Sequence, residues 1–173
     1  MAYGLLTTEM LSALRPLVAG KVVVDLGAGN CNKAAILKGI GAATVIAVDK
    51  NPMPPTAGIK TVQGYFVEVA DALPELIDVA FVSWPQNYPN RGLEAILHRA
   101  EVVIYLGSNT DGNSCGDPSL YGHLLSRKLL AHVGHQRNTL IAVGELLGEP
   151  RKPTFEEVAA LSSKLLRYAE KPF

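Results

Sequence analysis

The sequence predicts an α/β fold: a doubly wound, mostly parallel sheet with helices on both faces and a C-terminal antiparallel hairpin. Three observations carry that expectation. Short β-branched runs alternate with amphipathic stretches, as strand–helix units do. The first such run, KVVVDL, opens directly into two glycines and a helix start. Near the other end, AHVGHQRNTLIAVGEL reads as two strands joined at Arg137-Asn138, hence a hairpin.

The elements follow in order. TTEMLSALRPLVAG is a helix, with Thr7 or Thr8 as its cap, Met10, Leu11 and Leu14 on one face, and Gly20 as its stop. Pro16 falls in its last turns and is expected to kink them. KVVVDL is a buried strand, Asn32 to Ile40 a helix stopped by Gly41, and ATVIAVD a second strand ending at Asp49. The prolines of NPMPPTAG push their preceding residues away from the α region and make a loop. IKTVQG is a third strand, VEVADALPEL a helix, and DVAFVSW a fourth strand that breaks at Pro85. Arg91 to Arg99 is helical and EVVIYLG is the fifth strand. Asp117 and Pro118 suit the cap and first turn of a helix from Ser119 to Leu130. The chain closes on a helix, TFEEVAALSSKLLRY, in which Thr154 and Glu157 fit a capping box and Val158, Leu161 and Leu165 form one face.

With 173 residues, the chain is expected to be one domain, 1–173, of the Rossmann-like cofactor-binding kind. A composition of 48% hydrophobic and 18% charged residues is that of a globular protein. Sixteen basic and sixteen acidic side chains leave no formal net charge, so there is no clear nucleic-acid signal and no pull toward anionic membranes. Cys31 and Cys115 fit neither a C-x-x-C metal spacing nor a disulfide framework. The N-terminus shows no basic region followed by a long apolar one, and no run is long enough to span a bilayer. A cytoplasmic location is the expectation, with oligomeric state open.

Chemistry concentrates in VVVDLGAGNC. Gly27 and Gly29 lie just past the first strand, where open parallel sheets bind their ligands. Lacking Cβ atoms, they permit a sharp turn and let a ligand touch backbone. Asp49 ends the second strand twenty residues after Gly29, the position that commonly hydrogen-bonds a ribose diol. A carboxylate there accepts from both hydroxyls and repels a 2′-phosphate. A nicotinamide fingerprint would need a third glycine where Asn32 stands. The turn also opens on an acid, Asp25, which suits a cationic ligand better than a pyrophosphate.

These residues resemble class I S-adenosylmethionine-dependent methyltransferases. VVVDLGAGNC looks like that family's first motif and VIAVDKN like its second. The resemblance covers most of the chain in strand order, including the terminal hairpin. It implies that S-adenosylmethionine is the cofactor, that Asp25 helps orient its methionine end, and that Gly27, Ala28, Gly29 and Asn30 line it. Asp49 would hold the ribose, with Lys50 beside it. Two departures stand out. Cys31 occupies the third glycine position, which predicts a wider turn or a shifted cofactor. An acid that reads adenine is absent after the third strand, where VQGYF instead offers Tyr65 or Phe66 for stacking.

The acceptor is expected near the end of the fourth strand, where the chain reads VSWPQNYP. Methyltransferases of planar amino nitrogens often carry D/N/S-P-P-Y/F/W there. Here Ser83 and Pro85 are kept, while Trp84 and Gln86 replace the other two. Candidate catalytic or wall residues are Ser83, Trp84 and Tyr88, with Gln86 and Asn87 as hydrogen-bond partners; a packed tryptophan and a surface tyrosine explain the aromatics equally well. The loop GSNTDGNSCGD, within 107–117, is a second candidate rim, although a turn at Asp111-Gly112 and a cap at Asp117 account for it. His132 and His135, on one strand at odd separation, fall on opposite faces and make a poor metal pair. His123 qualifies as a base only if it reaches the cleft. The implied activity is methyl transfer to a small molecule or a protein side chain. The alternatives are a cofactor-binding module without transfer activity and a nicotinamide-dependent oxidoreductase.

Overall fold

The computed structural model describes residues 5–86, 90–107, 118–135, 138–146 and 156. Among the described residues, seven strands form one sheet: β1 (Val22–Leu26), β2 (Thr44–Asp49), β3 (Ile59–Gln63), β4 (Ile77–Ser83), β5 (Ala100–Gly107), β6 (Arg127–His135) and β7 (Asn138–Leu146). Their order is β3-β2-β1-β4-β5-β7-β6. The first five run parallel; β7 pairs antiparallel with both β5 and β6. Strand order reverses at β1, whose neighbours are β2 and β4. A crevice at the carboxyl ends of those strands is therefore built into the topology.

Among the described residues, the helices on the sheet are α1 (Thr8–Val18), α2 (Asn32–Gly39), α3 (Phe66–Val69), α4 (Leu93–Leu97) and α5 (Pro118–Leu125). The β-branched runs of β1, β2, β4 and β5 are buried on both faces, and residue parity sorts them into two cores. Val23, Val45, Val79, Phe81 and Ile104 pack with Met10 and Leu14 of α1 and Leu37 of α2. Val24, Ile46, Ala80, Val82 and Tyr105 pack with α3, α4 and α5. Asp25 and Asp49 share parity with Val23 and Val45, so both acids belong to the α1–α2 face.

Local chemistry sets the element ends. Thr7 caps α1 by accepting from the Met10 amide at 3.2 Å. Pro16 lies inside α1 without ending it. The helix expected over VEVADALPEL is only one turn, α3, followed by a 3₁₀ turn at Ala70–Ala72. The helix expected from Arg91 shortens to Leu93–Leu97 behind Gly92.

One boundary needs correcting. The helix expected to run to Leu130 stops at Leu125, and Arg127–Leu130 belongs to β6. The stretch RKLL has no helical or strand period of its own. Tertiary contact decides it: the Arg127 guanidinium donates to carbonyls of Leu97, Glu101 and Gly144, which holds that residue on the sheet. The closing helix expected over residues 154–168, with its capping box at Thr154 and Glu157, lies outside the described residues except at residue 156, as do Asn87, Tyr88 and the loop 108–117 with Asp111, Cys115 and Asp117. Among the described residues, no helix is long and apolar enough to cross a membrane.

Candidate functional site

A cavity of about 560 Å³ opens at the carboxyl ends of β1, β2 and β4. Leu26 and Gly27 come from β1 and its turn, Asp49, Lys50 and Asn51 from the end of β2, and Ser83, Trp84, Pro85 and Gln86 from the end of β4. Tyr65, Phe66 and Val67 close one side at the start of α3, with Asn90, Arg91 and Leu93 beside them.

The glycine turn is held from below. The amides of Gly27 and Ala28 both donate to the Val48 carbonyl, at 2.8 and 3.0 Å. The Gly29 amide donates to Asp49 Oδ2 at 2.8 Å, and the Asn51 amide donates to Asp49 Oδ1 at 2.9 Å. Asp49 thus ties the turn to β2 while each of its oxygens keeps a further lone pair. Gly27 and Gly29 have φ of 83° and 56°, and a Cβ on either would meet nothing within 4 Å. Backbone faces open space there, which is the shape a ligand lying on the turn requires.

Cys31 stands where the expected pattern has its third glycine. It takes φ 61°, the left-handed backbone a glycine would supply, and heads α2 with its side chain buried. Burial pushes its thiol pKa up, so the sulfur stays protonated. Asn30 is exposed and its side chain accepts from the Asn32 amide at 3.3 Å.

Asp25 is the anomaly. It is fully buried on the α1–α2 face, level with Ala47 and Phe81 on the adjacent strands. Neither carboxylate oxygen meets a donor within hydrogen-bond geometry. Burial pushes its pKa up to about 7; the charge of Lys33, in the first turn of α2, opposes this, Asp49 adds to it, and the Ala34 amide opposes it least. A buried acid without donors is costly unless something else compensates it.

The rim after β4 is strained. Trp84 has φ 50°, uncommon for a bulky side chain, and its amide donates to the Leu106 carbonyl at 2.7 Å. Strand β4 therefore turns sharply at Trp84, which enters the cavity wall. Gly92, at φ 88°, sits so close to α3 that a Cβ would lie 2.5 Å from the Val67 amide nitrogen. That contact fixes the β4 side of the cavity against the β3 side.

Of the residues singled out from sequence, Gly27, Asp49, Lys50, Tyr65, Phe66, Ser83 and Trp84 line the cavity together. Asp25, Ala28, Gly29 and Asn30 sit behind or beside it, and Tyr88 lies outside the described residues. His123 does not serve the cleft: it is buried beside Arg127, 3.2 Å from Nη2, and burial holds its pKa down to about 4. Sequence reasoning missed Asn51, Val67, Arg91 and Leu93, which no motif or spacing in the sequence signals.

No protein-family model matches the sequence, and no curated protein matches it. Solved structures do match. An rRNA methylase from Streptococcus thermophilus superposes with a TM-score of 0.58 at 14% identity, covering 84% of this chain and 99% of that one. A ribosomal protein L11 methylase from Lactobacillus delbrueckii subsp. bulgaricus gives 0.56 at 18% identity over 84% and 82%. A Streptococcus mutans protein assigned as a methyltransferase, solved in complex with SAH, gives 0.54 at 14% identity over 79% and 94%. The fold is that of the class I methyltransferases.

Proposed function

We propose that the chain is an S-adenosylmethionine-dependent methyltransferase acting on a small molecule or a protein side chain. One observation carries this reading. The amides of the glycine turn point away from the open side, into β2, and two carboxylates flank the turn. A pyrophosphate would find the Gly27, Ala28 and Gly29 amides already committed to β2, and two acids beside them. A ligand bearing cationic groups finds the opposite.

The assigned roles follow from position. Asp49 receives the ribose hydroxyls on its free lone pairs, and Lys50 flanks it. Gly27 and Gly29 give the cofactor a surface without side chains; Ala28 and Asn30 shape the turn beneath it. Tyr65 or Phe66 stacks on the adenine. Asp25 faces the amino-acid end. When bound, the cofactor supplies an activated methyl group on a sulfonium. Ser83 and Trp84 then position the acceptor and keep water from it, so the chain contributes orientation and desolvation. The compared methylases are named for rRNA and a ribosomal protein. A formal net charge of zero favours a protein or small-molecule acceptor here.

Calorimetry on the full chain tests the reading. S-adenosylmethionine and S-adenosylhomocysteine are expected to bind and NAD to fail. Asp49→Ala, shown folded by circular dichroism, is expected to lose at least about tenfold in affinity, roughly 1.4 kcal/mol. Binding of NAD in place of the adenosyl compounds would overturn the proposal. The second reading, a binding module, rests on Trp84 and Gln86 at the end of β4; cofactor binding with no methyl transfer to any small-molecule or protein acceptor would favour it.

A further inference from the structure

Resting on that reading, we infer that Arg91 reads an oxyanion on the methyl acceptor, so that the acceptor is a small molecule bearing a carboxylate or phosphate group. Arg91 is then a specificity-determining residue at the rim after β4.

Among the described residues, four charged side chains line the cavity: Asp49, Lys50, Glu68 and Arg91. Both acids are engaged by backbone. Asp49 accepts from the Gly29 and Asn51 amides, and Glu68 Oε2 accepts from the Tyr65 amide at 3.1 Å. Lys50 adjoins Asp49 at the end of β2. Arg91 is exposed, and no carboxylate among the described residues pairs with it. A guanidinium carries donors only, and its planar fork matches the oxygens of a carboxylate or phosphate. The cofactor's sulfonium is itself a cation, so that fork suits the other reactant.

The backbone beneath Arg91 is held on both sides. The Asn90 side-chain amide donates to the Gln86 carbonyl at 3.4 Å, and the Asn90 carbonyl accepts from the Leu93 amide at 3.0 Å. Gly92 abuts Val67 so closely that a Cβ there is excluded. These contacts set Arg91 beside the Ser83–Gln86 rim, where the acceptor is positioned. The cavity of about 560 Å³ is the size of a small-molecule site, which runs from about 300 to 1,000 Å³. Trp84 offers the apolar wall for the acceptor's body.

Trp84 is the only tryptophan of the chain and lines the cavity, so its fluorescence reports occupancy. The full chain, saturated with S-adenosylhomocysteine, is titrated with benzoate, phenyl phosphate and neutral benzamide. At least one oxyanion is expected to bind at least about tenfold more tightly than benzamide, and the better of the two identifies the group. Arg91→Met should bring both oxyanions to within about twofold of benzamide, with S-adenosylhomocysteine affinity held within about twofold. Arg91→Lys should keep part of the preference, having the charge without the fork. Wild-type protein that binds benzamide as well as both oxyanions, or that responds to none of the three, overturns the inference. So does an Arg91→Met protein that keeps the preference, or one that loses S-adenosylhomocysteine, since Arg91 would then serve the cofactor. Failure of the wild type to bind S-adenosylhomocysteine would instead bring down the functional proposal, and the same titrations on the free protein would still decide what Arg91 reads.

Discussion

Two buried charges sit at opposite ends of this molecule, and they are treated in opposite ways. Arg127, at the β5–β7–β6 side of the sheet, donates through Nη1 to Glu101 and Gly144 carbonyls at 2.9 and 2.8 Å and through Nη2 to the Leu97 carbonyl at 2.8 Å. It also approaches His123 Nε2, and His123 stacks edge-on against His98 with centroids 5.1 Å apart. Asp25, at the β2–β1–β4 side, is as deeply buried and meets no donor. A charge that the backbone solvates is part of the architecture. A charge left bare is an energetic liability in the free protein, of the sort that binding sites carry. Position in the fold agrees: Asp25 lies on β1, the strand at which the order reverses, and Arg127 does not.

The largest test of that contrast is Arg127→Met. It strands three carbonyls and is expected to cost on the order of 3 kcal/mol in urea unfolding. S-adenosylhomocysteine affinity of the folded fraction should stay unchanged. A comparable loss of affinity would erase the distinction between the two charges.

Asp25→Asn should do the reverse, stabilising the free protein and weakening the ligand. The carboxyl's ordinary pKa of 3.8 rises to about 7 in the fold. Between those values the unfolded chain has released a proton that the folded protein keeps, so Asp25 lowers stability as pH rises through the window. The gain from Asn should therefore be on the order of 2 kcal/mol at pH 8 and near zero at pH 3.5, since the amide also lacks partners. His123 slopes the other way. Its pKa falls from 6.5 to about 4, so its contribution is complete above 6.5 and is lost as pH falls toward 4. Asp25→Asn should accordingly unmask stability that climbs with pH between 4 and 6.5, where the wild-type profile is flatter. A wild-type profile already as steep would show that Asp25 is not the opposing group.

The smallest expected effect is at the turn itself. Cys31→Gly relieves a left-handed cysteine but adds unfolded-state freedom, so a gain of roughly 0.5 kcal/mol is expected. Affinity should hold within about twofold, because the backbone already has the glycine conformation. A marked change would mean that the thiol, and not only the bend, shapes the site.

Much of the site was legible because it is local. Gly27, Gly29 and Asp49 lie within or next to the first two strand ends, and their spacing alone puts them together. Trp84 was visible as a candidate, but its turn into the cavity depends on a left-handed backbone no periodicity encodes. Arg91, Leu93 and Val67 were missed because they reach the cavity only through the close approach of Gly92 to α3. RKLL misled for a related reason, as its strand state comes from carbonyls thirty and fewer residues away.

By itself the sequence determined the alternation of strands and helices, the glycine turn and the two acids at its edges. These depend on side-chain period and on backbone freedom at single residues, which act over a few positions. Only the tertiary structure decided that Asp49 binds the turn it was expected to face and that Asp25, buried behind it, is left without a donor. Hydrogen-bond satisfaction and burial are properties of three-dimensional neighbours, and no linear spacing records which polar group finds a partner and which does not.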